Sequence, residues 1–202
     1  MKGRNMMREK IVLIINGILI FLFGLTSISM GSEIKTIEDF RNCSFIKKYK
    51  PQRTKSWDLR DGRYNYSFSF YFSDFWKRSP TDNHIYDKND WFLVGVQTKS
   101  KNNFTVCSLG LMFHDEPEGP SVDKWYVKFT KHIKDISQDL ITSIDSSLPL
   151  KDIMDYIESR STFKLGREQN ISDAPKKSFG RYFFQVGLIR PDLIIHIQKE
   201  MR

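Results

Sequence analysis

The clearest pattern along the chain is the alternation that runs from Thr54 to Ser73. Tyr64, Tyr66, Phe68, Phe70 and Phe72 take every second position, with Asn65, Ser67 and Ser69 between them. A period of two belongs to a strand with one buried face and one wet face. Asp61-Gly62 interrupts the pattern and suits a two-residue hairpin turn. That turn sets Leu59 opposite Tyr64, Trp57 opposite Tyr66 and Lys55 opposite Phe68, so Trp57 is expected on the buried side.

A second hairpin is expected from Trp91–Thr98 and Asn103–Phe113, joined by the polar run Lys99-Ser100-Lys101-Asn102. Both segments are apolar at consecutive positions, as in the middle of a sheet covered on each side. From Val122 the spacing changes. Trp125, Tyr126, Phe129, Ile133, Ile136, Leu140, Ile141 and Ile144 recur at helical intervals, with Ser121 placed to cap the start. Leu148-Pro149 ends that helix and opens a shorter one, faced by Leu150, Ile153, Met154 and Ile157. Gly166–Ser178 is polar and reads as a loop. Gly180–Ile189 reads as a strand, Arg190-Pro191-Asp192 as a turn, and Leu193–Gln198 as a last strand or, alternatively, a helix. Helices grouped between hairpins predict an α+β fold: an antiparallel sheet of about six strands, made of three β-hairpins, with two consecutive helices packed on one face.

The first thirty residues change the setting of this domain. Lys2, Arg4, Arg8 and Lys10 precede an apolar stretch from Ile11, which gives way to small residues around Ser27, Ser29 and Gly31. That order is a secretory signal peptide, with cleavage expected after Gly31 and a single exported domain over residues 32–202. The alternative is an uncleaved membrane anchor over residues 11–28, with the domain facing outward. The formal charge of the chain is +8, from 32 basic and 24 acidic residues. Without residues 1–31 it is 28 against 23, or +5, too modest to suggest a nucleic-acid partner. In a periplasmic or extracellular setting, Cys43 and Cys107 are expected to form one disulfide. Asn42, Asn65, Asn103 and Asn170 each open an Asn-x-Ser/Thr triplet, which a eukaryotic secretory pathway reads as a glycan acceptor.

Candidate chemistry is sparse. His114-Asp115-Glu116-Pro117-Glu118 follows an expected central strand and offers His114, Asp115, Glu116 and Glu118 for proton transfer, although it fits no metal-ligand spacing. His84, His132 and His196 stand apart from it. Ser121-Val122-Asp123-Lys124 has the Ser-x-x-Lys spacing of penicillin-recognising enzymes without their companion motifs, so Ser121 reads as a helix cap. No cofactor motif is present. Two features suit binding instead. Lys47, Lys48, Lys50, Arg53 and Lys55 form a basic run without an acidic residue, and Tyr71, Phe75 and Trp76 fall off the alternation or beyond it. The expectation is an exported protein that binds a protein or anionic surface, with an inhibitor or immunity-type protein as one form. The alternative is a secreted hydrolase using His114 and the acidic loop.

Overall fold

In the computed structural model the chain divides into two units, residues 1–32 and 33–202. The described residues are 33–72, 91–114, 131–161, 171–189 and 192–200, all in the second unit. They form an α+β fold. Strands β1 (Arg53–Asp58), β2 (Tyr64–Tyr71), β3 (Trp91–Ser100), β4 (Asn103–His114), β5 (Lys177–Phe179), β6 (Tyr182–Ile189) and β7 (Asp192–Lys199) make one sheet in the order β1-β2-β3-β4-β7-β6-β5. Every pairing is antiparallel. Helices α1 (Ile37–Asn42), α2 (Ser44–Tyr49), α3 (Lys131–Ile144) and α4 (Leu150–Ser161) complete the described elements. Among the described residues there are thus seven strands and four helices, where about six and two were expected.

All four helices feed one core. Ile37 and Phe40 of α1, Phe45 and Tyr49 of α2, Ile133 to Ile144 of α3 and Ile153 to Ile157 of α4 meet the inner positions of the strands. Across the sheet those positions run Phe70, Phe92, Phe113 and Leu193 in one row, and Phe68, Val94, Leu111 and Ile195 in the next. Phe92 is fully buried, stacked on Phe70 at 4.5 Å and edge-on to Phe45 at 6.3 Å. Such rings supply both area and shape specificity to a core. Lys48 and the Tyr49 hydroxyl both reach Asp139, at 2.6 and 2.7 Å, which ties α2 to α3.

The first hairpin differs from its sequence reading by one residue. Asp58 pairs with Tyr64 and Trp57 with Asn65. Leu59 N–H donates to the Arg63 carbonyl at 2.8 Å, and Gly62 N–H to the Leu59 carbonyl at 3.1 Å. The loop is therefore three residues long, with Gly62 at φ +84° in the left-handed position that a three-residue hairpin loop places on glycine. An odd shift in register turns every side chain of β1 over. Trp57, expected inside, stands on the opposite face, 45% exposed.

Three further expectations change. The basic run is split between two elements, with Lys47 and Lys48 in α2 and Arg53 and Lys55 in β1. Part of the polar stretch before Gly180 pairs as β5. The central hairpin is fully buried on one face only, for Trp91, Leu93 and Met112 on the other face are half-buried. The leader, the stretch around Ser121, Trp125, Tyr126 and Phe129, the turn residues Arg190 and Pro191, and His84 lie outside the described residues. No helix among the described residues is long and apolar enough to cross a membrane.

Candidate functional site

The face of the sheet opposite the described helices carries most of the polar and titratable side chains of the strands, several of them buried, as Ser67, Ser108 and Gln185 are. At one end, a lateral row runs Tyr71, Trp91, His114 and Asp192 across β2, β3, β4 and β7. The imidazole of His114 stacks on the Trp91 ring at 4.9 Å and 9° between planes. Its Nδ1 hydrogen-bonds Asp192 Oδ1 at 2.9 Å. A carboxylate at Nδ1 fixes the tautomer and leaves Nε2 as the basic nitrogen, which is how a general base is oriented. Asp115, Glu116 and Glu118, expected to complete that cluster, lie outside the described residues. The partner of His114 is instead Asp192, far along the chain and brought close by the β4–β7 pairing.

The middle of the same face is low and half apolar. Leu93, Met112 and Ile194 form one row, and Ser67, Gly95, Gly110 and His196 the next. A Cβ built on Gly110 would meet nothing within 4 Å, so the two glycines leave a shallow floor. Beyond it, Gln97 Oε1 accepts from Arg63 Nη1 at 2.7 Å and Ser108 Oγ at 2.9 Å. At the β6 edge the face is covered, where Gln185 Nε2 donates to the carbonyls of Ile171 and Ala174 at 3.1 and 2.8 Å. Burial, with the positive charges of Lys176 and Arg63, holds His196 below its ordinary value of 6.5.

The basic run does not converge. Lys48 is paired to Asp139 on the helical side. Lys47 and Lys50 are exposed there too, Lys50 closing α2 at φ +48°. Arg53 and Lys55 stand on the opposite face, across from Ser69 and Ser67. Tyr71 is half-buried on that face, and Phe75 and Trp76 lie outside the described residues.

The expected disulfide is not formed, and both cysteines are free thiols. Cys43 joins α1 to α2 and packs against the core on the helical side. Cys107 is the extra residue of a β-bulge, between the pairs Thr98–Val106 and Gln97–Ser108. Its Sγ donates to the Gln97 carbonyl at 3.3 Å and lies beside Arg63. A bridge would have to pass through the sheet. Burial raises both thiols above their ordinary value, the opposite of what a nucleophilic cysteine needs. Of the glycan triplets, Asn42 and Asn103 are exposed, Asn170 lies outside the described residues, and Asn65 is 8% exposed beneath the β1–β2 pairing, which no glycan could reach.

Sequence reasoning missed a second gathering of charge. Arg181, in the β5–β6 turn, holds Glu33 at 2.9 Å and Asp145 at 3.2 Å, and Lys199 also pairs with Glu33. Four separate segments meet there, and no local run of charge announces it. Asp145 sits below its ordinary range: burial opposes this, but hydrogen bonds from Ser147 and Arg181 outweigh it. Among the described residues no three His, Cys, Asp or Glu side chains gather as a metal site would need. No protein-family model, curated protein or solved structure matches this chain, so what these sites can do follows from their own chemistry.

Proposed function

We propose that the chain is an exported binding protein that contacts an acidic protein partner through the sheet face opposite the helices. The observation that carries this reading is the one-sided packing of the described helices. All four described helices bury one face, and the other presents the half-buried Leu93–Met112–Ile194 row over a glycine floor. Apolar centres with polar rims are the anatomy of protein interfaces. Among the described residues the rim carries Arg53, Lys55, Arg63 and Lys176 against Asp61, Asp173 and Asp192, of which Asp61 is paired with Arg63 and Asp192 with His114. This excess of positive charge selects an acidic partner. Export follows from the leader, and an inhibitor or immunity-type protein is a concrete form.

Affinity capture from the native source tests the reading by comparing wild type with Gly110→Leu. The substitution raises a side chain into open space above the floor and needs no unusual φ. The expected result is an acidic protein held by wild type, lost from Gly110→Leu and kept by Lys47→Ala, a substitution on the helical side. Equal capture by all three chains would overturn it.

A second reading, a secreted hydrolase, rests on the 2.9 Å bond that orients His114. It requires His114→Ala to abolish a hydrolytic activity with the fold intact, and that outcome would displace the binding reading.

A further inference from the structure

We propose that a cleft between the end of the sheet and the α3–α4 turn binds a small organic carboxylate. The cleft has a volume of about 610 Å³, within the range of about 300–1,000 Å³ usual for small-molecule sites. Lys99 at the end of β3, Thr105 and Val106 on β4, Ser147 to Pro149 before α4, Arg181 and Lys199 supply its walls.

The balance of hydrogen-bonding capacity selects the ligand. Two of the carboxylates here, Asp145 and Glu33, are already engaged. Asp145 Oδ1 accepts from Ser147 N at 3.0 Å and Ser147 Oγ at 2.6 Å, and its Oδ2 from Arg181 Nη2 at 3.2 Å. Glu33, behind Arg181, takes Arg181 Nη1 at 2.9 Å, Lys199 Nζ at 2.5 Å and the Tyr182 hydroxyl at 3.4 Å. The donors are not exhausted. An ammonium has three N–H bonds and a guanidinium five, so Lys199 and Arg181 keep spare donors after these contacts. Lys99 is exposed, with no carboxylate within ion-pair distance among the described residues. The Thr105 hydroxyl adds a neutral donor. Glu200 lines the cleft as well, and its backbone N–H is bound to the Arg181 carbonyl at 2.8 Å.

Lys99 and Lys199 on β3 and β7 and Arg181 in the β5–β6 turn, with Asp145 and Glu33 already engaged, leave a place for an acceptor-only group. A carboxylate is such a group, and charge-assisted bonds to lysine and arginine are the strong kind. Val106, Leu148 and Pro149 form an apolar wall, which suits the hydrocarbon body of an organic acid better than a bare inorganic ion.

The test uses the protein purified from an export-competent host, with backbone amides followed by NMR during titration with hexanoate, hexanamide and inorganic phosphate. Hexanoate is expected to shift the amides of Lys99, Thr105, Ser147 and Gly180, and hexanamide and phosphate are not. Lys99→Glu is expected to weaken hexanoate about tenfold or more, the scale of one charge-assisted bond, with an unchanged melting temperature. Lys99→Gln should fall between the two. Equal shifts with hexanamide would make the cleft merely apolar, and equal shifts with phosphate would make it a simple ion site. Either result overturns the proposal, as do no shifts at all or an unaltered affinity in Lys99→Glu.

Discussion

His196 shows how a single position takes its properties from the sheet. It stands between Gly110 and Gln185 in the lateral row, and burial disfavours its charged form, aided by Lys176 and Arg63. Its folded value therefore lies below the 6.5 of the unfolded chain. The unfolded state binds the extra proton in that window, so the contribution of His196 is fully present above pH 6.5 and lost as pH falls toward the folded value. Urea unfolding at pH 7.5, 6.0 and 5.0 should show wild type losing more stability than His196→Gln over this range. Identical pH dependence in the two chains would show that His196 is not responsible. At this scale the sequence was informative where periodicity spoke: Tyr66, Phe68, Phe70 and Phe72 are buried as the alternation required. It misled at Trp57, because turn length decides register and Asp61-Gly62 is compatible with loops of two or three residues. The His114–Asp192 pair was not readable at all, since the carboxylate lies 78 positions away.

At the scale of elements, the long helices were legible and the short ones were not. A 14-residue helix such as α3 shows its apolar stripe plainly, whereas the 6-residue α1 holds less than two turns. What marks α1 is its cap. Thr36 Oγ1 accepts from Asp39 N–H at 3.2 Å while Asp39 Oδ2 accepts from Thr36 N–H at 2.8 Å, a reciprocal capping box. The Thr-x-x-Asp spacing was present in the sequence as a signal. Thr36→Ala should cost about 1 kcal/mol, read as a lower urea midpoint with an unchanged slope. Amide exchange should quicken first in Ile37–Asn42. Unaltered exchange there would mean that packing of Phe40, not the cap, holds the helix. The same length argument explains β5, whose three residues are too few to alternate visibly.

The whole molecule is closed by contacts that join distant segments. Ile34 N–H donates to the Ile144 carbonyl at 3.0 Å and Val106 N–H to the Lys35 carbonyl at 2.8 Å, which threads residues 33–36 between α3 and β4. Arg181 completes the closure by pairing with Glu33 and Asp145 at once, whose side chains are 12% and 7% exposed. Removing it strands two poorly solvated carboxylates. Arg181→Ala should therefore destabilise by about 2 kcal/mol, less than for a fully buried pair because Arg181 itself is 46% exposed. The sign with pH follows from Asp145, which is held below its ordinary 3.8. Its contribution is present above that value and lost as pH falls through the folded one. In Arg181→Ala the folded value rises, so acid unfolding should begin at a higher pH than in wild type. An acid limb that does not move would show that Ser147 alone sustains Asp145.

Local periodicity in the sequence determined the class of the fold, the faces of β2, α3 and α4, and the antiparallel order of the hairpins, because hydrophobic spacing is a property of consecutive residues. Only the tertiary structure decided the register of β1, the separation of Cys43 from Cys107 by the sheet, the His114–Asp192 pair and the charge cluster around Arg181. Each of these depends on which segments become neighbours, and chain distance carries no record of that until the sheet order β1-β2-β3-β4-β7-β6-β5 brings them together.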